Sequence, residues 1–223
     1  MSAQTVIAVL GGTGAEGSGL ALRWAVHGHE VLIGSRSLGR AQATAQQIAA
    51  KAGASARVRG TSNLEAARAA SIIVLTVPYT AQLATAEEVK PALSGKLLVD
   101  VTAPLVPPRV DRVQIPDAES AVLALQRRLG GDVRVVSAFQ NVAAEHLHDL
   151  GHPVDCDVLV CGDDVQARET VIALAADAGM RALHAGALAN SLAAEALTSV
   201  LIAINKRYKV SGAGIRITMP GKD

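Results

Sequence analysis

The apolar run Val6–Leu10 leads directly into Gly12-Thr13-Gly14-Ala15-Glu16-Gly17, and an Ala-rich segment of helical period follows. Strand, G-x-G-x-x-G and helix in that order admit few folds. One glycine permits the tight turn, one lets backbone N–H groups approach a pyrophosphate, and one lets helix and strand pack closely. The helix N-terminus then presents its partial positive charge to the phosphates. A plain glycine-rich turn would satisfy the spacing alone. A dinucleotide cradle also needs a second strand within roughly 30 residues, and Glu30–Gly34 supplies it.

The same alternation continues along the chain. Strand candidates are Val6–Leu10, Glu30–Gly34, Ala56–Arg59, Ile72–Val77, Leu97–Val101, Val133–Ala138 and Val158–Cys161. Helix candidates between them are Gly17–His27, Leu38–Ala52, Leu64–Ala69, Thr80–Ala92 and Ala118–Leu129, the first closed by Gly28 as a left-handed cap. Near-continuous apolar strands alternating with helices predict an α/β, Rossmann-like, doubly wound and mainly parallel sheet covered on both faces. From Asp163 the pattern changes to a helix Val165–Ala178, a short strand Arg181–His184, a long apolar helix from Leu188 to about Arg207, and the tail "SGAGIRI". We therefore divide the chain into a dinucleotide-binding part, 1–150, and a small α/β extension, 151–223, that completes the second-substrate site. The irregular stretch Thr102–Pro116 holds four of the eight prolines, which marks a functional loop.

Half of the 223 residues are hydrophobic and the net charge is +1, so a soluble globular protein without a nucleic-acid footprint is expected. No basic region precedes the first apolar run, which is too short for a signal segment. No stretch approaches the roughly 18–20 apolar residues of a membrane helix. The longest, Ala193–Ile204, is interrupted by Glu195 and Thr198. Cys156 and Cys161 are too few for a zinc site or a disulfide framework, and Cys161 ends an apolar run as a buried thiol would. No metal is expected, and a reducing cytoplasm fits.

The end of the second strand decides which dinucleotide is bound. An acid there would bond the ribose 2′-OH of NAD. This chain reads Gly34-Ser35-Arg36-Ser37-Leu38-Gly39-Arg40 instead. The hydroxyl of Ser35 and the guanidinium groups of Arg36 and Arg40 suit the 2′-phosphate of NADP, because Arg bonds phosphate bidentately. Arginines that merely solvate a helix N-terminus would oppose the macrodipole.

Ligands in such a sheet lie outside the carboxyl ends of the strands. Those ends carry Val77-Pro78-Tyr79, Thr102-Ala103-Pro104 and Phe139-Gln140-Asn141-Val142, with no obvious proton donor. Among the histidines, His27 and His29 flank Gly28, while His146, His148 and His152 are expected on a surface turn. His184 ends a late strand, where a structural role outweighs an approach to the site. A dehydrogenase for an alcohol or imine needs a positioned acid or base. Its absence favours hydride transfer to a second redox ring, stacked on the nicotinamide against small residues such as Ala144 and Gly212. An NADPH-dependent flavin reductase, a small carbonyl or imine dehydrogenase, and a non-catalytic NADPH-sensing module stay open on these residues.

The blocks "GGTGAEG", "GSR", "LTVPY", "APLVP", "VVSAFQNVAAEHL", "VLVCGDD", "HAGALANS" and "GAGIRI" resemble, in order and spacing, the NADPH-dependent deazaflavin (coenzyme F420) reductases. The resemblance covers essentially the whole chain and implies reversible hydride transfer between NADPH and coenzyme F420. It places Gly12, Thr13, Gly14, Ala15, Glu16 and Gly17 at the pyrophosphate, and Ser35, Arg36 and Arg40 at the 2′-phosphate. Val77, Ala81, Val106 and Ala144 would line the rest of the NADP site. Gln140, Asn141, Val142, Gly212, Ala213 and Gly214 would approach the deazaflavin, with no catalytic acid or base. Gln140, Ala143 and Ala81 depart from the archaeal pattern, which has His, Pro and a larger polar residue. The stretch Asn205–Lys209 reads equally as a seat for the acidic tail of F420 and as cations favoured by a helix end. In the long helix, Leu188, Leu192, Ala196, Val200 and Ile204 form one apolar row beside Leu197 and Leu201. A homodimer through this row is expected, because a chain of this size need not bury both faces of the helix; a helix wholly buried within the monomer is the alternative.

Overall fold

A computed structural model of the chain describes residues 4–116, 119–151 and 153–219. The strands are β1 (Val6–Leu10), β2 (Glu30–Gly34), β3 (Arg57–Thr61), β4 (Ile72–Leu75), β5 (Leu97–Asp100), β6 (Arg134–Ser137), β7 (Asp157–Gly162) and β8 (Arg181–His184). They form one sheet in the order β3-β2-β1-β4-β5-β6-β7-β8. The helices are α1 (Ala15–His27), α2 (Leu38–Ala52), α3 (Asn63–Ala69), α4 (Tyr79–Val89), α5 (Ala121–Leu129), α6 (Ala144–Leu147), α7 (Val165–Asp177) and α8 (Ser191–Tyr208).

Each central strand feeds two cores. Successive side chains point to opposite faces of a sheet, so a strand covered on both sides reads as an unbroken apolar run. On β1, Ile7 and Val9 pack with Leu20 and Trp24 of α1, Ile48 of α2 and Val171 of α7. Ala8 and Leu10 pack on the other face with Ala66 of α3, Val89 of α4 and Leu125 of α5. Trp24 is the largest side chain in the first core. Its Nε1 donates to the Leu174 carbonyl at 2.9 Å, and its ring meets Phe139 edge-on at 6.1 Å.

The element boundaries have local causes. Gly28 takes φ 101°, where its N–H closes α1. The helix expected over Thr80–Ala92 loosens into a 3-10 turn at Lys90–Ala92, because Pro91 has no N–H to continue the α ladder. The helix expected from Ala118 begins at Ala121, with Ser120 Oγ accepting from Val122 N and Leu123 N; Ala118 itself lies outside the described residues. The long C-terminal helix opens with a 3-10 turn at Leu188–Asn190 before α8.

β1 to β6 are parallel neighbours, but β7 runs antiparallel to β6, pairing Val136 with Gly162 and Ser137 with Cys161. A parallel return needs a crossover that carries the chain back to the far edge of the sheet. Between β6 and β7 the chain forms only the four-residue α6, so the strand comes straight back. β8 then pairs parallel to β7. Residues 157–184 thus extend the same sheet.

The composition argument against a long apolar segment needs correcting. Leu188–Tyr208 is long and apolar enough to cross a membrane by length and composition. Its inner face is nonetheless committed to the protein. Glu195 is 1% exposed and accepts from Ser120 Oγ, Ala121 N and Val122 N at the start of α5.

Candidate active site

The glycine loop between β1 and α1 is shaped by contacts that a side chain would destroy. Gly11, one residue before the motif, is the turn residue with positive φ, +73°. At Gly17 a Cβ would lie 2.3 Å from Thr76 Oγ1, which donates to the Leu10 carbonyl, so α1 sits directly on the end of β4. Gly14, the N-cap of α1, contributes no side-chain bond to the first-turn N–H groups. Those groups are left for an anion.

From this loop a groove of about 550 Å³ runs over the carboxyl ends of β1, β2 and β4. Thr13, Gly14, Ser35, Arg36, Arg40, Val77 and Ala81 all line it. Ser37 caps α2 by accepting from Arg40 N, and Ser35 Oγ accepts from Ser37 N at 3.2 Å. Arg36 and Arg40 are exposed, and neither has a carboxylate partner among the described residues. The first turn of α2 holds no acid. Val106 and Ala144 are not on this groove. The Val106 carbonyl accepts from Gln114 Nε2 within the proline-rich loop, and Ala144 starts α6 beyond β6.

Past β4 the carboxyl-end rim is organised by Asp100, which is 0% exposed. Its Oδ1 accepts from Thr102 N at 2.9 Å, its Oδ2 from Gln82 Nε2, and its backbone carbonyl from Gln140 Nε2 at 2.9 Å. Burial pushes the carboxyl up to about 6. Glu16, in the first turn of α1, has Oε1 enclosed and unpartnered; burial, then the charge of Asp100, push its carboxyl up to about 8. The other enclosed side-chain atoms without a partner among the described residues are Asn63 Oδ1, Thr102 Oγ1, Gln140 Oε1 and Asn141 Oδ1. All five are oxygens, and all five stand on segments that leave the carboxyl ends of β1, β3, β5 and β6. Phe139, buried just before Gln140, holds φ 73°. A non-glycine residue in that region concentrates at functional sites.

Two smaller cavities adjoin this rim. One, about 80 Å³, is lined by Gln140, Asn141, Val142 and Ala213 together with α8 residues. The other, about 110 Å³, is lined by Gly212, Ala213 and Gly214 with Ala143, His146 and Cys156. The tail is held against β7 through Asp157, whose N–H donates to the Ile215 carbonyl and whose Oδ2 accepts from Ile217 N. Arg181 pairs with the same carboxylate and holds it below the usual carboxylate range. A Cβ on Gly212 would fall 1.7 Å from His146 Nε2. Gly212 also holds φ 73°, a backbone conformation that favours glycine.

Several sequence-based placements change. Gln140 donates its amide N–H groups to Asp100 O and Ser137 Oγ, and Asn141 donates to Asp157 O. Each keeps only its carbonyl oxygen for a ligand. His146 and His148 are half-buried and not on an open surface turn: His146 lies under Gly212, and His148 Nε2 meets Ala15 O at 2.9 Å and Ser18 Oγ at 3.3 Å. His152 lies outside the described residues. His184 is paired with Glu169 and Arg168 away from the groove. Lys206 pairs with Asp111, which leaves Arg207 and Lys209 without an ion pair among the described residues. Both cysteines are free and buried. Asp100, Gln82 and Asn63 escaped the sequence reading; an acid ending an apolar strand at Asp100 was the one local signal.

One further cluster, His27, His29 and Asp177, lies at the opposite end of the strands, with each imidazole Nε2 3.0 Å from an Asp177 oxygen. His29 Nδ1 accepts from Thr5 N, so its proton sits on Nε2 and goes to Asp177. This is a hydrogen-bonded set whose tautomer opposes metal ligation through Nε2.

Residues 6–104 match the family model described as NADP oxidoreductase, coenzyme F420-dependent. The F420-dependent NADP reductase of Methanocaldococcus jannaschii is 41% identical over 219 residues, spanning 95% of this chain and 97% of that protein. The protein of the same name from Methanothermobacter marburgensis is 41% identical over 218 residues, spanning 95% and 97%. In structure, a putative F420-dependent NADP reductase from Arthrobacter sp. FB24 superposes with a TM-score of 0.81 over 97% of this chain and 100% of that one, at 24% identity.

Proposed function

The chain belongs to the family of the F420-dependent NADP reductases, and from that premise we propose that it is an oxidoreductase moving a hydride between NADPH and the deazaflavin coenzyme F420. One observation supports this most: the enclosed, unpartnered oxygens all lie on the carboxyl-end rim of the sheet, where a doubly wound fold binds its ligands. Such oxygens are costly unless a ligand brings donors to them. The carboxamide NH2 of a nicotinamide and the pyrimidine N–H of a deazaflavin are donors of that kind.

The residues fit each part of NADP. Ser35, Arg36 and Arg40 stand where a 2′-phosphate would lie, and the open N–H groups of α1 face the position of the pyrophosphate. Gly12, Thr13, Gly14, Ala15 and Gly17 form that cradle. Val77 and Ala81 wall the groove between the two ends. On the acceptor side, Gln140 Oε1, Asn141 Oδ1, Val142 and the glycine tail Gly212-Ala213-Gly214 orient a second ring. When bound, the two coenzymes supply the redox chemistry between them. The protein's part is to hold both rings and exclude water, the source of the advantage of an oriented pair. Among the described residues, no His or Lys lines the coenzyme groove or the cavity beside Gln140, and His146 lines only the tail cavity.

We assign the coenzyme groove to residues 1–150 and completion of the acceptor side to residues 151–223, which supply the tail. The homodimer reading rests on α8, where Val200 and Ile204 stay exposed while the opposite face is buried. Two buried, unpaired thiols fit a cytoplasmic protein. The direct test uses NADPH deuterated at C4. Reduced F420 carrying the label in proportion to turnover supports ring-to-ring transfer, and label released to water contradicts it.

A further inference from the structure

We propose that Asn63 reads the base of the coenzyme: its side-chain amide accepts from the 6-amino group of adenine and donates to N7, so that the groove takes 6-aminopurine dinucleotides and rejects 6-oxopurine ones. This rests on the NADPH half of the reading above and not on the identity of the acceptor.

Of the five enclosed oxygens without a partner among the described residues, Asn63 Oδ1 alone belongs to a residue that lines the coenzyme groove. Asn63 is 2% exposed and is the first residue of α3, two positions after the end of β3. Asparagine at a helix start commonly serves as the cap, but that role is filled here. Ser62 is the N-cap, its Oγ accepting from Glu65 N, and Glu65 Oε2 accepts in return from Ser62 N and from Thr61 Oγ1. The box fixes the backbone around Asn63 and leaves its amide out of the cap. That amide lies over the end of β2 instead, where a Cβ on Gly34 would come 2.9 Å from Asn63 Oδ1. A buried amide oxygen held without a donor is costly, and a ligand N–H relieves the cost.

Covalent connectivity decides which part of the ligand brings it. Adenine and the 2′-phosphate sit on adjacent carbons of one ribose, so the base lies close to the residues that hold the phosphate. Gly34 directly precedes Ser35, and Ser35, Arg36 and Arg40 line the same groove as Asn63. Val77, Pro78 and Ala81 add apolar wall that suits the faces of a flat ring. α3 and α4 share one core, with Ala66 and Ala67 packed in it alongside Ala86 and Val89, so the first residues of the two helices keep a fixed spacing.

An amide carries one acceptor beside one donor, which meet the 6-amino group and N7 of adenine as a bidentate pair. A 6-oxopurine replaces that donor by an acceptor and sets two oxygens against each other. Turning the amide over does not help, because N7 then faces the amide oxygen. Ser35, Arg36 and Arg40 read the phosphate, which is the same in both.

The test compares NADPH with its hypoxanthine analogue, in which oxygen replaces the 6-amino group. Both carry the reduced nicotinamide, so its fluorescence follows either titration, without acceptor. Wild type is expected to bind NADPH about 10- to 100-fold more tightly than the analogue. Asn63→Ala should weaken NADPH by a similar factor and hold the analogue within about twofold of its wild-type affinity. Its ratio of NADPH to NADH affinity should match wild type. Equal wild-type affinity for the two bases would overturn the proposal, and so would a variant that still discriminates between them. A collapsed NADPH-to-NADH ratio would move Asn63 to the 2′-phosphate and overturn it as well. The wild-type comparison needs no variant, so it decides even if Asn63→Ala fails to fold. A wild type that binds neither coenzyme would sink the NADPH reading and this proposal with it, a failure distinct from equal binding of both.

Discussion

Arg36 stands at the N-terminus of α2, where the macrodipole disfavours a cation and no described carboxylate offsets it. A site that tolerates this cost implies an anion to meet it. Arg36→Ala should weaken NADPH about 10- to 150-fold, the equivalent of about 1.5–3 kcal/mol, and leave NADH nearly unchanged. Titration calorimetry with both coenzymes checks this, and equal NADPH affinity in a folded variant would remove Arg36 from the site. Gln140 behaves differently, because its amide nitrogen already holds Asp100 and Ser137. Gln140→Ala should raise the acceptor KM more than the NADPH KM, with a loss nearly flat from about pH 6 to 8 because an amide does not titrate. Steady-state kinetics in both coenzymes checks it, and an unchanged acceptor KM and kcat would take Gln140 out of the site. That Ser35, Arg36 and Arg40 share one groove was legible because a single short stretch, from the end of β2 into the first turn of α2, carries them all. Asp100 was not, since residues 82, 102 and 140 surround it only after folding.

At the scale of elements, α8 is tied to α5 by one buried carboxylate. Glu195 accepts from Ser120 Oγ at 2.6 Å and from the N–H groups of Ala121 and Val122, which α5 cannot satisfy within itself. Glu195→Ala leaves those donors enclosed and should cost about 3 kcal/mol. A urea midpoint unchanged from wild type would show that the carboxylate does not hold the two helices. Most elements were readable from period and punctuation: β2, α2 and β8 fall on the residues that the alternation marks. The direction of β7 was not, because an apolar strand reads alike either way up, and the short α6 connection decides it. The 3-10 end of α4 was available from Pro91 but needs the position of the preceding turn.

For the whole molecule, the doubly wound sheet follows from the ordered alternation, while the way residues 151–223 continue that sheet depends on tertiary pairing. Of the apolar row that runs through Leu188 and α8, Leu188 is buried and only Val200 and Ile204 are exposed, and these two place the next expectation at this scale. Light scattering at micromolar concentration should give twice the chain mass, and Val200→Glu should halve it without loss of helix content; a wild-type monomer would refute the dimer. The central claim is hydride exchange between NADPH and F420. Its most direct measurement is anaerobic mixing of the protein with NADPH and oxidised F420, and separately with FMN, while both chromophores are followed. We predict loss of the F420 absorbance in one-to-one proportion with NADPH oxidation and little reduction of FMN. Reduction of FMN with F420 untouched, or tight NADPH binding with neither ring reduced, would contradict it.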